Sequence, residues 1–132
     1  MTGIDQDAAV ASATGLEPQF AAALAYLAGP FSGLVILMAE RTNRFVLFHA
    51  WQAIIGLGGL ALLALTLLVL AFMGLFLSPF AFTALYWLAA LTTLTWIVAW
   101  GLCLVKAFGG AAWRMPVAGK YAEERALRSQ GA

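Results

Sequence analysis

"AWQAIIGLGGLALLALTLLVLAFMGLFLSPFAFTALYWLAALTTLTWIVAWGLCLV", residues 50–105, contains no Asp, Glu, Lys or Arg. A helix needs roughly 20 residues to cross a hydrocarbon core, so this stretch is too long for one crossing and about right for two. Backbone N–H and C=O groups find no water in hydrocarbon and must pair within the segment, which makes the crossings helices and not open strands. The break falls at Leu77, Ser78 and Pro79, with Pro79 suited to a first helical position. The stretch therefore predicts an antiparallel hairpin. One limb starts within "FVLFHAWQ" and runs to residue 76, and the other covers residues 80–105.

Working outward, a third apolar run at residues 20–39 is about one crossing long. The whole chain is 64% hydrophobic and 10% charged, with a mean hydropathy of +0.93, outside the mix of an ordinary soluble domain. The expected fold class is all-α, an integral membrane protein with three transmembrane helices. Residues 1–19 form a flexible tail, 20–108 the three-helix transmembrane domain, and 109–132 an interfacial tail.

Charge sets the expected orientation. Residues 1–19 hold no Lys or Arg; the first loop holds Arg41 and Arg44; the second loop holds none; the tail holds Lys106, Arg114, Lys120, Arg125 and Arg128. Positive charge is retained on the cytoplasmic side, so this alternation predicts an extracytoplasmic N-terminus and a cytoplasmic C-terminus. The absence of a basic segment before residue 20 predicts no cleaved signal. Tyr26, Trp51, Tyr86, Trp87 and Trp100 suit interfacial aromatic belts, with Trp96 deeper.

Three motifs carry a family likeness: "YLAGPFSGLV" from Tyr26, "NRFVLFHAWQ" from Asn43, and "RMPVAGKYAE" from Arg114. Together they resemble the signature of a widespread group of small bacterial membrane proteins of unknown function. That group is similar to the Tic-type channel component of the chloroplast inner-envelope protein translocon, whose members are described with four spans. The likeness extends over residues 22–123. It implies a multi-pass protein of the bacterial cytoplasmic (inner) membrane in a setting of protein translocation or insertion, and it brings no catalytic residues.

Arg41, Asn43, Arg44, Phe45, His49, Gln52, Trp113 and Arg114 are the candidate contacts for a partner or lipid. The arginines stay wet, because each would cost about 2.5 to 3.5 kcal/mol at the bilayer centre. His49 and Gln52 share a helix face and are expected to look toward protein, since an unpaired imidazole or amide is costly in hydrocarbon. For His49 the readings are a structural hydrogen bond, a headgroup or partner contact, or a cofactor ligand; no second histidine or nearby carboxylate supports the last. Ala25, Gly29 and Gly33 on the first helix and Ala53, Gly56 and Gly59 on the second form small-residue faces for helix packing. Pro30 frees the Tyr26 carbonyl and predicts a bend. Thr92, Thr93 and Thr95 are expected to bond back to carbonyls one turn earlier.

No nucleophile–base pair, paired carboxylates or multi-cysteine cluster appears, so the chain is read as non-enzymatic, with no cofactor and no metal. A net charge of +1 without a basic aromatic patch excludes nucleic acid. The expected partners are the lipid bilayer and other membrane subunits, or further copies of the chain. The expected function is a structural or accessory subunit of a larger membrane complex; the alternative is an oligomeric channel or transporter component for a polypeptide or small solute. Residues 109–132 hold Gly109, Gly110 and Pro116 before a helix-forming stretch expected to fold onto the inner membrane surface or a partner.

Overall fold

The computed structural model describes residues 3–129, and every regular element among them is helical. A short α1 (Gly3–Gln6) and a 3-10 turn (Asp7–Ala9) precede α2 (Pro18–Leu27) and α3 (Pro30–Ala39). Next, α4 (Arg44–Gln52), a π-helical turn (Ala53–Leu57) and α5 (Gly58–Gly74) run as one continuous helix; α6 (Pro79–Phe108) and α7 (Ala118–Arg128) follow. The continuous helix and α6 are long and apolar enough to cross a membrane. They form the hairpin anticipated from residues 50–105. Asn43 caps α4 by accepting the Val46 N–H at 3.2 Å, and Ser78 caps α6 by accepting the Ala81 N–H at 3.1 Å.

The run at residues 20–39 is not one crossing helix. It is two ten-residue helices separated by a reversal at Ala28 and Gly29. Gly29 has φ +63°, a left-handed conformation that favours glycine, and Pro30 has no N–H to continue the ladder. Ser32 stitches the break, donating to the Ala25 carbonyl at 2.9 Å and accepting the Ala28 N–H at 2.9 Å. Each helix is about 15 Å long against a hydrocarbon core of ~30 Å. Contacts trace the path in and out: Gln19 packs at Gly110 beyond α6, Gly29 meets Trp96, Pro30 meets Gly58, Gly33 meets Ala50 and Ala53, and Glu40 joins Ser12. The pair α2–α3 is thus a helical hairpin that returns to the end it started from.

The N-terminal segment is a second correction. Expected as a free tail on the side opposite the arginine turn, it lies against that turn. Arg44 Nε donates to Asp7 Oδ2 at 2.9 Å, and Asn43 Nδ2 donates to the carbonyls of Asp7 and Val10, each at 2.8 Å. Residues in contact do not stand on opposite faces of a bilayer, so the N-terminal segment and the arginine turn share one side.

The C-terminal helix packs on its own chain. Ala118, Ala122 and Ala126, at spacing four, are buried where α7 lies along α4. It runs antiparallel to α4, with Ala118 beside Gly56 and the Arg125 guanidinium 5.5 Å from the centre of the Trp51 ring. Enclosed by α2, α3 and α7, α4 forms the core of a foot: Phe45, Val46, Phe48 and Ala50 are fully buried. Each large apolar side chain buried this way contributes about 1.5–3 kcal/mol. Beyond the foot, α5 and the first half of α6 stand largely exposed, ending in the apolar tip at Phe76 and Leu77.

Candidate functional site

The foot holds a closed polar interior. Gln52 Oε1 accepts the Met115 N–H at 3.0 Å, which fixes the amide, and Nε2 donates to the Trp113 carbonyl at 2.9 Å and to the Tyr26 hydroxyl at 3.1 Å. Tyr26 Oη lies 2.7 Å from His49 Nδ1. Which of the two donates follows from the imidazole tautomer. Nε2 faces the Ala111 main chain and makes no well-formed hydrogen bond among the described residues. Phe45, Phe48 and Tyr26 turn ring edges or faces toward the imidazole, with centroids 4.6, 5.1 and 5.5 Å away. Tyr26, His49 and Gln52 are all fully buried. This is an arrangement of neutral groups that fastens the 111–117 segment to α4, and its chemistry is holding.

Two tryptophans secure the helix irregularities. Trp100 Nε1 donates to the Tyr26 carbonyl at 2.8 Å, the acceptor that Pro30 leaves short of a helical donor. Trp96 Nε1 donates to the Leu57 carbonyl at 2.9 Å, at the π-turn where the regular ladder is disturbed. The two indoles are nearly parallel, 5° apart, with centroids at 6.4 Å. Trp100 and Tyr26 therefore point into the protein and are not belt residues. A sequence signal for this pairing existed in the carbonyl freed by Pro30, but its donor lies 74 positions away.

Glu40 ties the turn to the N-terminal segment. Oε1 accepts the N–H groups of Arg41, Thr42 and Asn43 at 2.9, 2.8 and 3.0 Å, and Oε2 accepts the Ala13 N–H at 3.0 Å and the Ser12 hydroxyl. Burial raises the carboxyl, but hydrogen bonds from Ser12, Asn43 and Thr42 outweigh it, and the group sits below its ordinary value of 4.5.

Of the candidate contacts, Asn43, Phe45, His49 and Gln52 are buried in the foot and serve internal bonds and packing. Arg44 pairs with Asp7, and Arg114 donates twice to Glu123 at 2.8 and 3.0 Å. Trp113 is half-buried and Arg41 is exposed. Among the packing residues, Ala25 is buried, Gly29 makes the reversal, and Gly33 brings α3 against Ala53. Gly56 instead receives Met115 from the tail, and Gly59 faces open space, with nothing within 4 Å of where a Cβ would stand. Thr92, Thr93 and Thr95 each donate to the carbonyl four residues earlier, at 2.8 to 2.9 Å. No group of three or more His, Cys, Asp or Glu among the described residues is placed to hold a metal ion.

Comparison with known proteins gives relatives from archaea, where the sequence resemblance pointed to bacterial proteins. A UPF0132 membrane protein of Methanocaldococcus jannaschii is 34% identical over 83% of this chain and 89% of its own length. One from Archaeoglobus fulgidus is 31% identical over 83% of this chain and 96% of its own. A second from Methanocaldococcus jannaschii is 31% identical over 84% of this chain and 71% of its own. These relatives carry no link to the chloroplast translocon in their names. No family profile and no solved structure matches the chain. With identity at this level over more than four-fifths of its length, the chain belongs to the UPF0132 family of membrane proteins.

Proposed function

We propose that the protein is a non-enzymatic structural or accessory subunit of a larger membrane complex, whose α5–α6 hairpin receives a helix of another membrane protein. The observation that carries this reading is the contrast between the two halves of the molecule. In the foot most of the buried polar groups are engaged internally, while the hairpin leaves an apolar groove of about 620 Å³ between its limbs, lined by Ala64, Leu65, Leu68, Ala89, Ala90 and Ile97. Small residues on such a face let a helix backbone approach closely, the usual basis of association within a bilayer. Every charged residue of the chain lies at sequence positions 1–44 or 106–132, which the fold gathers at the foot, so the positive-inside tendency favours a cytoplasmic foot with both chain ends. A setting in protein translocation or insertion rests on the sequence resemblance alone.

The test is a photo-crosslinking residue at Ala90, activated in native membranes, followed by mass analysis of the complex in mild detergent. An adduct with a different membrane polypeptide supports the subunit reading. A uniform ring of this chain alone overturns it in favour of the oligomeric channel.

A further inference from the structure

We propose that the groove between the C-terminal end of α3, α4 and α7 binds an anionic glycerophospholipid, with the phosphate on Arg41 and an acyl chain along Met38, Leu37, Leu47 and Trp51. The groove holds about 570 Å³, and Ser129 and Glu40 complete its lining. That volume suits a small ligand.

Charge selects the ligand class first. Arg44 and Arg114 are paired with Asp7 and Glu123, and Arg125 lies over Trp51, whereas exposed Arg41 forms no ion pair among the described residues. Glu40 keeps its negative charge but directs both carboxylate oxygens at Ser12, Ala13 and the N–H groups of the turn, and forms no ion pair with Arg41. Basic side chains at a membrane surface attract anionic headgroups.

Polarity along the groove then favours an amphiphile over a soluble anion. The cation sits at the charged end of the foot, where Asp7, Glu40 and Arg44 gather, and Leu37, Met38, Leu47 and Trp51 line the groove beside it. Met38 is 71% exposed and continues into Val35, Leu34 and Phe31, an apolar stripe on the outer face of α3 along which a second chain lies. Finally, Trp51 lines the groove, and its Nε1 is buried with no acceptor among the described residues. Indoles favour this level of a bilayer, where an apolar body meets polar groups.

The experiment uses the full-length protein, delipidated in mild detergent and titrated with phosphatidylglycerol or phosphatidylcholine of matched chains, read by native mass spectrometry. A single phosphatidylglycerol is expected to be retained in preference to phosphatidylcholine. Arg41→Gln should weaken that retention about fivefold. Ser129→Glu should act in the same direction, and Arg41→Lys should keep most of the binding. Phosphatidylglycerol with brominated chains should quench tryptophan fluorescence more in the parent protein than in Trp51→Phe. Arg41 and Ser129 are exposed, so unchanged thermal unfolding separates lost binding from lost fold. Equal retention of the two lipids, or a preference that survives both Arg41→Gln and Ser129→Glu, overturns the proposal. So does displacement by glycerol 1-phosphate alone, which would assign the site to a free anion. None of these outcomes depends on what binds the α5–α6 groove.

Discussion

Trp100 donates its indole N–H to the Tyr26 carbonyl at 2.8 Å, at the point where Pro30 interrupts the helical ladder. The same carbonyl accepts the Gly29 N–H at 2.9 Å, so the indole adds a second bond at a site of helix reversal. Trp100→Phe keeps the ring volume roughly but removes the donor. The expected loss is about 1 kcal/mol of stability, read as a lower thermal midpoint in detergent. No change in midpoint would deny the bond a stabilising role.

Gln52→Leu leaves the Trp113 carbonyl and the Met115 N–H without their side-chain partner. With two main-chain groups affected, a cost of about 2 kcal/mol or more is expected. The 111–117 segment should loosen before the long helices do. Limited trypsin digestion should then cut after Lys120 faster than in the parent protein, while α5 and α6 stay intact.

Gly33 and Gly59 should respond differently to alanine. A Cβ on Gly33 would stand 2.9 Å from Ala53 Cβ and 3.0 Å from the Ala50 carbonyl, so α3 and α4 must part; one on Gly59 meets nothing within 4 Å. Gly33→Ala is expected to destabilise by about 1–3 kcal/mol. Gly59→Ala should be neutral or slightly stabilising, since alanine is the better helix former. Equal midpoints for the two variants would contradict the close approach.

Acid should weaken the foot through Glu40. Its carboxylate is favoured by the fold, so between the folded value and the ordinary value of 4.5 the unfolded chain binds more protons. The contribution is present above that range and is lost as pH falls through the folded value. Glu40→Gln should lower stability at neutral pH and flatten the acid limb of a stability–pH curve. A parent-like limb in the variant would assign the acid sensitivity to other groups.

Topology is checked with single cysteines at Thr14, Arg41, Leu77 and Lys120 in a Cys103→Ala background, labelled by an impermeant maleimide in sealed vesicles. Thr14, Arg41 and Lys120 should share one accessibility, because the N-terminal segment and α7 both pack on the α4 end of the foot. Leu77, 84% exposed at the far tip, should show the opposite. Opposite labelling of Thr14 and Arg41 would restore the three-crossing arrangement.

The charge-free stretch at residues 50–105 by itself determined the membrane class and the long hairpin, because the cost of burying charge in hydrocarbon is a property of residue type and run length. The same local reasoning located the start of α6 at Pro79, the inward face of His49 and Gln52, and the back-bonding threonines. Only tertiary structure decided whether residues 20–39 cross or turn back. A 20-residue apolar run satisfies the length rule either way, and the reversal depends on who bonds the carbonyls near Gly29 and Pro30. Ser32 is close in sequence, but Trp100 comes from the limb at residues 80–105. The side taken by the N-terminal segment was hidden for the same reason: Asp7 lies 37 positions from Arg44 and Ser12 lies 28 from Glu40, and no hydropathy pattern encodes a contact between distant polar groups.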